Sequence, residues 1–214
     1  MKRILKAAIA LASLTIATPS AAGEVSVGVG AGTWGAHAEL GYKVWDFIGI
    51  RVGGNYLPVD FETEMSGKEY SADVRLKMVG ATVDIYPFTG GLRLSAGMRW
   101  NGSEGDFSVH SSEPINIGGV DYADTSLNAH VEYKKTYAPY LGIGYVLGIT
   151  PFAAVAFDVG AVHVGKAEVE LGVSGSGAGA VSDEDLAREA RKLEDDLNKF
   201  QFYPVAALTV MVRF

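Results

Sequence analysis

The feature that most constrains this chain is a two-residue hydrophobic period that recurs along nearly all of it and is cleanest in the last thirteen residues, FYPVAALTVMVRF (202–214). Phe202, Ala206, Leu208, Val210, Val212 and Phe214 share one parity, while Tyr203, Thr209 and Arg213 take the other. Such a segment makes a strand with one apolar and one mixed face. The same pattern runs through Trp34, Ala36, Ala38, Leu40, Tyr42 and Val44, set against Gly35, His37, Glu39, Gly41 and Lys43. It continues in Ile48, Ile50 and Val52 against Arg51 and Asn55, and in Leu92 to Trp100 against Arg93, Ser95, Gly97, Arg99 and Asn101. Each run is as long as the ~9–11 residues that a tilted membrane strand needs.

The N-terminus points to export. Lys2, Arg3 and Lys6 precede an apolar run from Ala7 to Ala17 and the small residues Ser20, Ala21 and Ala22, the layout of a secretory signal peptide cut after Ala22. That run is too short to span a bilayer, and no later segment reaches some 18 uninterrupted apolar residues, which excludes a helical membrane protein. Cleavage leaves 192 residues, 23–214, within the range of one all-β domain. With three basic residues gone, 15 Lys and Arg face 25 Asp and Glu, for a net charge of about −10 that disfavours nucleic acid as a partner. The absence of Cys excludes a lipid-modified N-terminal Cys, disulfides and thiolate chemistry. The 27 Gly and 10 Tyr suit a membrane barrel, with Gly relieving crowding on the inner wall and Tyr sitting at the interfaces.

Between Ser71 and Pro87 the alternation shifts phase. Val74, Leu76 and Met78 give way beyond Gly80 to Ala81, Val83 and Ile85, as a β-bulge would produce. Arg75 and Lys77 oppose the first set, Thr82 and Asp84 the second. Residues 102–128, rich in Gly, Ser, Asp and Asn, read as a long external loop with a hairpin signal at 116–119. Val131, Tyr133, Leu141, Ile143 and Tyr145 then form one outward set, followed by Val155, Phe157, Val159, Val169 and Leu171. A Gly/Ser tract at 174–179 leads into 182–199, where Leu186, Ala190, Leu193, Leu197 and Phe200 recur at helical spacing behind the cap residues Ser182 and Asp185. That helix is either a lid over the barrel mouth or a structured loop packed on its rim.

Taking GAGT (30–33) as a tight turn, the count is eight. The expected fold is an all-β, eight-stranded antiparallel transmembrane β-barrel with one short amphipathic helix before the last strand. Parity then puts the turns at 45–46, 88–91 and 148–151 with both termini in the periplasm, and the longer loops outside.

The motifs YAPYLGIGY (137–145), DIYPFTGGLRLSAG (84–97) and the acidic helix running into KFQFYPV (199–205) resemble the CarO-like family of small Gram-negative outer-membrane barrels. The resemblance implies an eight-stranded barrel in the outer membrane, surrounded by lipid and lipopolysaccharide and linked to uptake of small charged solutes such as basic amino acids. A terminal strand ending in Phe is also what such barrels present to their assembly machinery, so Phe214 is the expected signal.

The inward parity gathers His37, Glu39, Lys43, Arg51, Asn55, Arg75, Asp84, Arg93, Arg99, Asp158, Thr209 and Arg213. About eight strands enclose a lumen only wide enough for side chains to fill. Arg51, Arg93, Arg99 and Arg213 are therefore expected to pair with Glu39, Asp84 and Asp158. These charges are either a structural plug, with the barrel working through its outer surface, or a gated path for a small charged solute. Glu104, Asp106, Asp121 and Asp124 would favour cationic solutes at the mouth. The His110-x-Ser112 spacing beside Glu113 is the one trace of hydrolase chemistry, such as lipid A deacylation, and is too short to carry it, so no enzyme is expected. His37, His130 and His163 lack ligand-like spacing, and neither a metal nor a cofactor is expected.

Overall fold

Alternating strands with one apolar face need a partner for every backbone N–H and C=O, and in lipid only closure into a barrel supplies it. The computed structural model describes residues 23–65, 68–88, 90–111 and 113–214. Residues 1–22, the expected signal peptide, and Ser66, Gly67, Thr89 and Ser112 lie outside them. Eight strands close the barrel: β1 (Glu24–Gly32), β2 (Gly35–Trp45), β3 (Ile48–Met65), β4 (Lys68–Ile85), β5 (Leu92–Asn101), β10 (Tyr137–Gly148), β11 (Ala153–His163) and β13 (Phe202–Arg213). Each pairs antiparallel with its neighbour, β1 with β13 and β4 with β5, so no edge remains in this wall.

The tight turn between β1 and β2 falls at Thr33-Trp34, slightly later than the glycine pattern suggests. Gly35 leaves it at φ +94°, where a side chain would be strained and a Cβ would meet the Tyr56 carbonyl oxygen. Trp34 is consequently not on the lipid face, as its parity predicts, but turned inward and 8% exposed. Turns at 46–47 and around 86–91 and 149–152 lie at the end that carries Glu24 and Phe214, the terminus end of the described chain.

Around the wall the outward residues Leu40, Val52, Val83, Leu94, Ile143, Phe157, Leu208 and Val210 are exposed. Aromatic residues border this band: Trp45 stacked on Phe47, Phe152 and Phe214 at the terminus end, and Tyr56, Trp100, Tyr137 and Phe202 at the other. An apolar band between two aromatic girdles is how a barrel meets the two interfaces of a bilayer.

Beyond the upper girdle the structure departs from the expected loop. β3 and β4 are 18 residues each and rise past the barrel as a hairpin. Onto β4 are added β6 (Glu104–Ser111), β9 (Ser126–Tyr133) and β12 (Ala167–Ser174), making a second, five-stranded sheet of β3-β4-β6-β9-β12. Residues 102–128 are thus mostly strand, with the small hairpin present as β7 (Ile115–Ile117) and β8 (Val120–Tyr122). The two segments read as single strands, about 130–148 and 152–171, each divide into one strand of this outer sheet and one of the barrel.

The phase shift in β4 is not a bulge. β3 and β4 stay in continuous register from Ile48 opposite Ile85 to Met65 opposite Lys68. What changes is the surroundings: within the barrel the outward face is apolar because lipid covers it, and above the barrel the inward face is apolar because protein covers it. Val74, Leu76, Phe107, Val109, Leu127, Val131, Tyr133, Val169 and Leu171 therefore share the face that continues the lumen wall, which corrects the outward placement of Val131, Tyr133, Val169 and Leu171. Its opposite face is polar and acidic, with Asp60, Asp73, Asp106, His130 and Glu170 directly opposed strand to strand.

The helix α1 (Asp183–Leu197) lies on that apolar face, with Leu193 and Leu197 toward Val74, Leu76 and Val169. Phe200, past its end, is exposed rather than part of the stripe. Ser182 caps the helix by accepting from the Asp185 N–H. The helix also finishes the sheet edge: Glu194 accepts the Val169 N–H and Asn198 the Ala167 N–H, donors that β12 would otherwise leave open. At its other end Tyr122 donates to Asp185 at 2.7 Å and Arg188 donates to the Gly118 carbonyl, tying the β7–β8 hairpin to it.

Candidate functional site

Among the described residues, the lumen is where the fold gathers ionic side chains away from water. Because successive residues alternate sides, Glu39 on β2, Arg51 on β3, Asp84 on β4, Arg93 and Arg99 on β5 and Asp158 on β11 all point inward from five strands. Arg51 is the hub. Its Nε and Nη2 form a fork on Asp84 at 2.5 and 3.0 Å, Nη1 reaches Glu39 at 2.9 Å, and Nη2 lies 3.8 Å from Asp158. Arg93 makes its own fork on Asp158, at 2.6 and 3.1 Å. Ser95 donates to Asp84 at 2.6 Å. Planar guanidinium and carboxylate groups met two bonds at a time hold direction as well as charge.

Glycine makes room for this cluster. A Cβ at Gly144 would lie 2.3 Å from Asp158 Oδ1 and 3.0 Å from Arg93 Nε, so the pair meets over a bare stretch of wall.

Arg99 behaves differently from the expected pairing. It reaches no carboxylate; its guanidinium carbon lies 5.3 Å from the Trp34 ring and 5.1 Å from the Tyr140 ring, with one Nη hydrogen bond to Thr82 at 2.9 Å. Removed from water, a cation between two ring faces is held by their quadrupoles. Trp34 and Tyr140 belong to an apolar layer with Met78, Val162, Val164 and Val205 that fills the lumen beyond the ion pairs. Tyr133 packs against the same layer and joins it to the apolar face under α1.

On the terminus side the lumen opens instead into a cavity of about 200 Å³ lined by Lys43, Arg51, Asp84, Tyr86, Arg93 and Arg213 among others. Arg213 is only loosely matched, at 3.9 Å from Glu24, and donates to the Thr150 carbonyl at 3.1 Å. Arg75 is not in the lumen at all. It sits on the polar face of the outer sheet, between Asp73 at 2.9 Å and Glu104 at 3.5 Å. His37 bonds Thr209 at 2.9 Å and faces the Trp34 ring edge.

Glu39, Arg51, Asp84, Arg93, Arg99 and Asp158 thus come together as three cations and three anions, with Arg213 at the cavity mouth. The sequence pattern put Thr82 and Ser95 on the inward side without marking them as partners of Arg99 and Asp84, and it put Trp34 outside, where a turn reversed its parity. Outside the lumen, His110 bonds Ser126 at 2.5 Å, and among the described residues no three His, Asp or Glu gather as a metal group.

CarO from Acinetobacter baumannii superposes with a TM-score of 0.62 at 24% identity, over 89% of this chain and 97% of that one. The fold is that of the CarO barrels. CarO2 from the same organism superposes at 0.65 and 21% identity, over 89% of this chain and 98% of that one, so the CarO likeness spans barrel and outer sheet alike. No protein-family model matches the chain, and no curated protein matches it in sequence.

Proposed function

We propose that this chain is an outer-membrane barrel, shut at rest, that passes small charged solutes such as basic amino acids along a narrow path through its lumen. The lipid-facing band between aromatic girdles supports the location, and the end with both termini is then periplasmic, with the outer sheet and helix on the cell surface. The observation that carries the reading is that the 200 Å³ cavity is lined by the Arg51–Asp84 pair and by Arg93, whose partner Asp158 lies behind it. A solute bearing an ammonium and a carboxylate matches both halves of such a pair. It enters by replacing one partner, so the lumen never holds a bare charge, which is what makes the path selective.

The experiment is flux of Lys, ornithine, glutamate and glucose into liposomes carrying the refolded mature protein. Flux of the cationic amino acids that falls in Asp84→Ala and Arg93→Ala supports the path. Unchanged flux in folded variants rejects it.

A second reading rests on the apolar layer of Trp34, Tyr140, Met78 and Val205, which seals the lumen toward the outside. There the barrel is a closed anchor, and the surface sheet with its helix does the work as an adhesion or envelope module. Silence of verified barrels toward every solute favours it. Neither reading assigns catalysis, and in both Phe214 serves the assembly machinery while lipid and lipopolysaccharide surround the wall.

A further inference from the structure

The ion-pair cluster balances itself, three cations against three carboxylates, but the lumen on its terminus side does not. There the cavity of about 200 Å³ is also lined by Lys43 on β2, Arg213 on β13 and Glu24 on β1, so two further cations meet one further carboxylate. Glu24 is 44% exposed at its side chain and lies 3.9 Å from Arg213, too far for a hydrogen bond. Arg213 Nε is buried without a hydrogen-bond partner among the described residues. Lys43 makes no ion pair among them either. Its ammonium lies 5.0 Å from the centroid of the Tyr86 ring, a contact that holds a cation without cancelling its charge.

The register gathers both cations around one bare patch of wall. Ser26 stands opposite Arg213 on one side and Gly41 on the other, and Lys43 follows Gly41 by two residues on the same face. β13 and β2 are two strand spacings apart, about 10 Å. A Cβ at Gly41 would lie 2.4 Å from Ser26 Oγ, so this hydroxyl takes the space between the two cations. On its other side Lys43 is opposite Gly49, which is in turn opposite Asp84.

We propose that Lys43 and Arg213 form a carboxylate-binding site, which receives the α-carboxylate of a solute while its ammonium faces Asp84. The site rests on the path proposed above and adds a requirement to it. The carboxylate of a bound amino acid offsets the excess cation, whereas an amine that lacks one adds to the excess where charges are poorly screened. Amino acids therefore pass ahead of the corresponding amines.

The test is flux of L-lysine and of cadaverine, the same molecule without its carboxylate, into liposomes carrying the full mature protein. Lysine flux about tenfold above that of cadaverine is expected. Lys43→Gln and Arg213→Gln should each lower lysine flux and leave cadaverine flux no lower, and Lys43→Glu should reverse the preference. If Arg213→Gln, in the last strand, gives no heat-modifiable barrel, the two Lys43 variants carry the test. Equal flux of the two solutes overturns the carboxylate site and leaves the path standing, as does a lysine preference that persists in folded Lys43→Glu. Flux of neither solute rejects the path and the site together.

Discussion

Asp158 and Arg93 form a buried fork inside the barrel, with Nη2–Oδ2 at 2.6 Å and Arg93 only 1% exposed. Removing the carboxylate leaves a buried guanidinium without its fork partner. Asp158→Ala is expected to destabilise the barrel by about 3–5 kcal/mol. Replacing both partners with apolar residues, Arg93→Met with Asp158→Leu, should recover most of that loss. Urea unfolding midpoints in lipid vesicles check both.

Gly144 gives that fork its space. Gly144→Val forces a methyl group into Asp158 Oδ1 and should cost about 1–3 kcal/mol by overpacking, through the same midpoint shift. In the Asp158→Leu background the penalty should change, because the contact that Gly144 permits is no longer there. A double-mutant cycle reads this coupling.

Trp34 is the largest ring of the layer that seals the lumen, and it holds Arg99 from one side. Trp34→Ala is expected to raise single-channel conductance in planar bilayers while the heat-modifiable band persists. An unchanged trace would place the barrier in the ion pairs instead.

His130 faces Asp106 across the outer sheet at 2.7 Å, and this hydrogen bond holds the imidazole above its usual pKa. The contribution to stability is complete below about pH 6.5, the unfolded value, and is lost as pH rises through the raised folded value. Both groups are well exposed, so the effect on global stability is small. An NMR titration of His130 should show the raised midpoint, and Asp106→Asn should return it toward the ordinary value.

Ser182→Ala removes the oxygen that accepts the Asp185 N–H at the start of α1. A local loss of about 1 kcal/mol is expected, seen as faster amide exchange in the first turn with the barrel strands unchanged.

The number of barrel strands, the inward residues of each and the helix were legible in the sequence because lipid imposes one rule on every spanning strand. Its outer face must be apolar, so Leu94, Ile143 and Leu208 declare Arg93, Gly144 and Thr209 to be inside. The cap at Ser182 was legible for a similarly local reason, since it depends on residues three apart. Trp34 was misplaced because a turn, unlike a strand, does not preserve parity. Above the membrane the rule reverses: Val74 and Val131 are apolar because they face a helix that begins 52 residues after Val131 and 109 after Val74, and a strand's own pattern records that one face is dry without recording what dries it. Tertiary structure alone decided that the expected outer loop is a sheet, that Arg75 leaves the lumen, and that Arg51 rather than Arg99 is the hub of the carboxylates. Those outcomes depend on which strands adjoin and at what height, and pairing across the barrel joins residues as far apart as Arg93 and Asp158, whose spacing in the chain carries no mark of their contact.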